Sequence, residues 1–211
     1  MRIVIITQDD PFYLAENIEY LLGNMPTHSS VVGCVVFAVS PFGKKEGFIG
    51  KAKRTLDIFG LHFFLHYSLK FTAAKFNSAK NIRHVLKKRG IPELYFESSI
   101  NAEESLDAIR NLNPDLLVSI AGNQIFKQPL IELAPQGCLN LHTALLPKYR
   151  GLMPSFWVLK NNEQFTGVSV FFVDEGIDSG PILVQKKVAI DGMTQEQLIS
   201  KTKRKGMDAI L

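Results

Sequence analysis

Asp115-Leu116-Leu117-Val118-Ser119-Ile120 carries four apolar residues among the five that follow its acid. The run does not alternate polar with apolar. It predicts a strand covered on both faces, as strands of a parallel sheet are. Working outward, residues 3–7 (Ile-Val-Ile-Ile-Thr) and 31–39 are runs of the same type. Between them Leu14, Ile18, Leu21 and Leu22 recur at helical spacing. Residues 77–89 read as a helix stopped by Gly90, 94–96 as a short strand, 102–110 as a helix and 138–141 as a strand. Strands at 166–173 and 182–190 flank a loop rich in Gly and Asp, and 195–211 reads as a helix with no stop signal. The β-α-β-α rhythm predicts the α/β class, a Rossmann-like open and mostly parallel sheet with helices on both faces. Such sheets take ligands beyond the carboxyl ends of their strands, so the residues just after each strand are the candidates.

The composition allows this. A chain of 211 residues with 46% hydrophobic and 21% charged residues is neither disordered nor collagen-like. The net charge of +4 is uneven. Residues 44–89 hold twelve Lys or Arg against Glu46 and Asp57, so that segment carries +10 and the remainder −6. Cys34 and Cys138 each sit in an apolar run and predict no disulfide scaffold. The N-terminus lacks the apolar region of a secretion signal, and the hydrophobic window 56–71 is interrupted by Asp57, His62, His66 and Lys70. A soluble cytoplasmic protein without an integral membrane segment is expected.

Several chemistries lose their footing. The loop after the first strand, Thr7-Gln8-Asp9-Asp10-Pro11-Phe12, has no phosphate-cradling glycines, and its two acids would repel a phosphate. His62 and His66 stand four apart, but no Glu follows His62 and their neighbours are aromatic and aliphatic. No metal is expected. No Gly-x-Ser-x-Gly exists.

The stretch that carries chemistry is Asn140-Leu141-His142-Thr143-Ala144-Leu145-Leu146-Pro147-Lys148-Tyr149-Arg150-Gly151. On a strand, Asn140 and His142 share a face and would emerge together at its carboxyl end. An amide donor beside an imidazole suits charge developing on a carbonyl, with the imidazole moving a proton. Downstream, the strand at 166–173 feeds a loop with Asp174, Glu175, Gly176, Ile177 and Asp178, whose acids could orient His142.

The order Asn140-x-His142-x-x-Leu-Leu-Pro-Lys-Tyr-Arg-Gly, then Thr166-Gly167-Val168-Ser169-Val170, then Asp174-Glu175-Gly176-Ile177-Asp178-Ser179-Gly180-Pro181 resembles the folate-dependent formyltransferase family. The close resemblance runs from about residue 115 to 185. Ala144 stands where the family's turn carries Ser, outside the three catalytic positions. The resemblance implies Asn140, His142 and Asp178 as catalytic residues and 10-formyltetrahydrofolate as cosubstrate. Ser119, Gly122, Asn123, Gln124, Ile125 and Phe126 would line one wall of a pterin pocket. Val173, Asp174, Glu175, Gly176 and Ile177 would line the other. It also implies a formyltransferase catalytic domain over residues 1–211, with a basic, aromatic-rich insertion at about 41–76. Members that act on tRNA also carry a C-terminal β-rich domain; none is visible in residues 1–211, so either the chain ends with the catalytic domain or the sequence is cut from a longer product.

The acceptor is a separate question. The acidic first loop speaks against glycinamide ribonucleotide. Basic residues after the second strand suit a nucleotide-linked aminosugar, which is the expected acceptor. Methionyl-tRNA is the alternative. Hydrolysis of 10-formyltetrahydrofolate and a non-catalytic folate-binding module are further alternatives. The aromatic-rich stretch 61–70 would pack on the core, pair two subunits into a homodimer, or lie on a membrane surface.

Overall fold

The computed structural model describes residues 1–39 and 47–211, and of Phe48, Lys51, Lys75 and Ser78 the backbone alone. Part of the expected insertion, with Lys44, Lys45 and Glu46, lies outside the described residues. In chain order the elements are β1 (Arg2–Gln8), α1 (Leu14–Gly23), β2 (Ser30–Phe37), α2 (Phe48–Lys75), a 3-10 turn (Ser78–Lys80), α3 (Ile82–Arg89) and β3 (Glu93–Leu94). Then follow α4 (Glu103–Arg110), β4 (Leu116–Ile120), α5 (Gln128–Ile131), β5 (Cys138–His142), α6 (Pro154–Lys160), β6 (Phe165–Phe172), β7 (Ile182–Ala189) and α7 (Gln195–Ile210).

The strands form one sheet in the order β3-β2-β1-β4-β5-β6-β7. β1 to β5 pair in parallel, and β6 and β7 add antiparallel strands at one edge. The two-residue period sorts the core. Ile5, Val118, Leu139 and Leu141 face α1, α3 and α7, while Val4, Ile6, Leu117 and Cys138 face α4 and α5. Helices thus cover both faces of the parallel part, which is why its strands are apolar throughout. Gly206 lets α7 approach β5, since a Cβ there would lie 2.5 Å from Leu141 Cδ2.

Two expectations need adjustment. The helix read over 77–89 begins only at Ile82, because the Asn81 side chain caps it by accepting from the Arg83 and His84 backbone N–H groups. Gly90 ends it in the left-handed conformation, as expected. The basic segment is also less free than its sum of charges suggests. Arg83 pairs with Asp9 and Glu93, Lys88 and Arg89 with Glu19, and Lys70 with Glu196. These are surface pairs, each worth about 0–1 kcal/mol. Asp9 is therefore occupied, and Asp10 turns the chain into α1 by accepting the Phe12 and Tyr13 N–H groups.

Among the described residues no helix is long and apolar enough to cross a membrane. Cys34 and Cys138 are buried on opposite faces of the sheet, and burial pushes the Cys138 thiol up to about 12 and Cys34 higher still. At mildly alkaline pH the native protein should therefore react with Ellman's reagent on the order of a thousandfold more slowly than the chain in denaturant. A rapid native reaction of one thiol equivalent would refute this.

Candidate active site

Register across three strands lays the floor of a cleft. Ser119 on β4 pairs with Asn140 on β5, which pairs with Phe171 on β6, so the three side chains form one row on the α4/α5 face. The loop after β4 contributes Gly122, Gln124, Ile125 and Phe126 to one wall. The loop after β6 contributes Val173, Asp174, Gly176, Ile177 and Asp178 to the other. The cleft measures about 150 Å³. That is below the roughly 300–1,000 Å³ of a pocket that swallows a drug-sized ligand, so it encloses one ring system and leaves the rest of a ligand over the rim. Ile125 and Ile177 are exposed there.

All fourteen residues expected at the site lie on these three strand ends and their loops, but not all face the cleft. Asn123 turns away, donating to the Ala38 carbonyl at 3.0 Å and so tying the β4 loop to the end of β2. Glu175 is exposed and outside the wall. Gln124 lines the wall while its Oε1 accepts from the Ile100 N–H at 3.0 Å. His142 shares the face of Asn140, as its spacing predicts, but stands behind the wall, 7% exposed. It reaches the cleft through Asp178, whose Oδ2 lies 3.3 Å from His142 Nδ1. Asp178 is at φ 48°, a left-handed conformation that Asp tolerates better than most residues.

The hydrogen bonds fix the imidazole's tautomer. His142 Nε2 lies 2.7 Å from the Tyr149 carbonyl oxygen, which can only accept, so Nε2 carries a hydrogen. In a neutral imidazole Nδ1 is then bare, facing a carboxylate oxygen. The contact is attractive only when one further proton sits between them, as imidazolium with carboxylate or imidazole with carboxylic acid. Asp178 Oδ2 also accepts the Gly151 N–H at 2.7 Å, which holds the carboxylate in register. The pair is a place to store one proton at the cleft wall.

Ser169 and Gln185, which lie outside the residues expected at the site, help hold this arrangement. Ser169, fully buried and paired across the sheet with His142, donates to the Ala144 carbonyl and accepts from the Leu146 N–H. Gln185 donates to both Ser169 Oγ and the Leu146 carbonyl. Together they brace the turn that leads from His142 to Tyr149. Asp174 accepts from Ser179 and from the Gly176 N–H, shaping the second wall. A Cβ on Gly180 would lie 1.8 Å from the Phe172 carbonyl oxygen, so this wall closes only over glycine. Ser169→Ala is expected to cost about 1–3 kcal/mol, because it strips a buried N–H and a buried carbonyl of their partner. Chemical denaturation of the two proteins measures it, and equal stability would refute the bracing role.

Among the described residues no group of three or more His, Cys, Asp or Glu could hold a metal ion. The family model described as formyl transferase matches residues 1–211. The methionyl-tRNA formyltransferase of Kosmotoga olearia is 41% identical over 109 residues, which are 52% of this chain and 35% of that protein. The enzyme of the same name from Thermodesulfovibrio yellowstonii is 37% identical over 122 residues, 58% of this chain and 39% of its own. The alignments thus span little more than a third of these relatives. Among solved structures, glycinamide ribonucleotide transformylase 1 from Symbiobacterium toebii superposes with a TM-score of 0.67 at 17% identity, covering 100% of this chain and 84% of that one. Phosphoribosylglycinamide formyltransferase from Bacillus halodurans gives 0.67 at 21%, covering 99% and 90%. At such identities the likeness shows a shared fold.

Proposed function

The chain belongs to the formyl transferase family, and from that premise we propose that it moves a formyl group from 10-formyltetrahydrofolate to an acceptor amine, with methionyl-tRNA as the acceptor. The observation that carries the chemistry is the convergence of Asn140 and Asp178 on one cleft, with His142 behind Asp178. The names of the sequence relatives favour methionyl-tRNA over the nucleotide-linked aminosugar expected from the residues alone. Exposed Lys148 and Arg150, on the turn that ends at Gly151, suit a polyanionic acceptor. A cytoplasmic setting and a C-terminal extension that helps hold tRNA belong to the same reading.

The cleft fits the donor. Phe126 and Phe171 offer a ring two apolar contacts, and the strand-end loops offer polar backbone edges. Bound there, 10-formyltetrahydrofolate supplies a formyl carbon open to attack by an amine. Asn140 donates its amide N–H to the carbonyl oxygen as negative charge grows on it. Asp178, with His142, gives its stored proton to the leaving nitrogen and is refilled by the proton that the attacking nitrogen sheds. Tyr149 and Gly151 keep the pair aligned through their backbone groups.

The test supplies 10-formyltetrahydrofolate with methionyl-tRNA, with a nucleotide-linked aminosugar, or with water alone, and reads products by mass spectrometry. Formyl-methionyl-tRNA is the expected product. A formylated sugar without formylated tRNA would overturn the acceptor. Folate turnover without any acceptor would make the protein a hydrolase, and tight folate binding without turnover would make it a binding module.

A further inference from the structure

Helix α2 is long, apolar and hardly packed. Gly60 breaks it with φ 78°, and the part from residue 61 to 75 touches the body along a single face. Tyr67, Lys70, Phe71 and Ala74 repeat at i, i+3, i+4 and i+7 on the face that meets the body, where Lys70 and Phe71 are half-buried, Ala74 is buried and Tyr67 stays partly exposed. Tyr67 and Phe71 pack on Phe12 with centroids at 4.9 and 6.4 Å, Lys70 pairs with Glu196 on α7, and Ala74 is buried. On the opposite face the same periodicity places Leu61, Leu65 and Leu69, at 63%, 54% and 74% exposure, with Phe76 at 90% just past the end. Ile58 and Phe59 continue the exposed apolar surface before the kink.

A face that points away from the core gains nothing from its leucines unless something covers it. The surrounding charge says what. Between residues 47 and 80 the sequence carries Lys51, Lys53, Arg54, Lys70, Lys75 and Lys80 against Asp57 as its sole acid. A second copy of the chain would bring two such basic helices together, and like charges oppose that pairing. RNA would meet the cations but leave the leucines wet. An anionic lipid surface answers both, because headgroups neutralise the cations while the acyl boundary takes the leucines. The stretch from 61 to 75 is about 22 Å long at ~1.5 Å per residue, so it can lie in that boundary without crossing it.

We propose that α2 is an interfacial anchor whose outward Leu61, Leu65 and Leu69 insert into the headgroup boundary of an anionic bilayer while the sheet stays in water. The anchor is independent of the catalytic reading, since none of its residues lines the cleft.

The experiment floats the full chain with vesicles of phosphatidylcholine, alone or with about a quarter phosphatidylglycerol. Co-flotation with the anionic vesicles, weakened in about 0.5 M salt, is expected. The variant carrying Leu61→Glu, Leu65→Glu and Leu69→Glu should partition at least about tenfold less, with an unchanged circular dichroism spectrum. Leu69→Glu alone carries the test if that variant does not fold. Equal recovery from all vesicles, or wild-type partitioning by a folded variant, would overturn the proposal. So would a dimer by light scattering that the substitutions dissolve without any vesicle binding, or binding to tRNA alone that they leave intact.

Discussion

Asp178→Asn should lower kcat by about a thousandfold, close to 4 kcal/mol of barrier, within the range general acid–base catalysis supplies. The donor's KM should shift by less than about threefold, because an isosteric side chain preserves the cleft wall. The tautomer argument sets the size. With His142 Nε2–H committed to the Tyr149 carbonyl, Nδ1 and Asp178 Oδ2 hold the mobile proton between them. An amide cannot share that proton. If its oxygen keeps the Gly151 N–H, no negative charge faces Nδ1; if its NH₂ faces Nδ1, the Gly151 N–H loses its acceptor. Asn tolerates the left-handed backbone at this position at least as well as Asp, so the fold should survive. Steady-state kinetics beside a melting curve decide it. A folded variant retaining kcat within about threefold would show that the carboxylate carries no proton in the slow step.

Much of this arrangement is legible along the chain, and the illegible part has a common cause. β1 and β4 announce themselves because strands covered on both faces must be apolar throughout, and Gly90 because few other residues end a helix in the left-handed conformation as readily. The common face of Asn140 and His142 follows from a two-residue period. That His142 stands behind Asp178 does not follow, since it depends on how a loop 36 residues later folds back. Ser169 and Gln185 are hidden for the same reason: their role comes from the register of β5, β6 and β7, which no local pattern encodes. Helices α5 and α6 are too short for periodicity to reveal, and Pro129 and Pro154 start them rather than break them. The +10 segment misleads because a count of charges ignores Glu19, Asp9, Glu93 and Glu196, which meet it in space.

Asn140→Ala is expected to cost about a hundredfold to a thousandfold in kcat, the usual loss of one preorganised donor to a developing oxyanion. The residue sits mid-row between Ser119 and Phe171, on a strand whose neighbours on both sides are hydrogen-bonded to it. Its amide is thus held on a rigid element, where a donor costs little reorganisation when charge appears. Alanine removes the donor and leaves the floor open, so binding of a folate analogue should weaken only slightly while turnover collapses. Asn140→Asp should be worse than alanine, since it sets a negative charge against the growing one at nearly the same volume. The double variant Asn140→Ala with Asp178→Asn separates two pictures. If the amide and the carboxylate act as one unit in the transition state, the double variant should be little slower than the slower single one, because each loss already abandons the same concerted path. Fully multiplicative losses would mean that oxyanion stabilisation at Asn140 and proton transfer at Asp178 contribute independently to the same rate-limiting barrier.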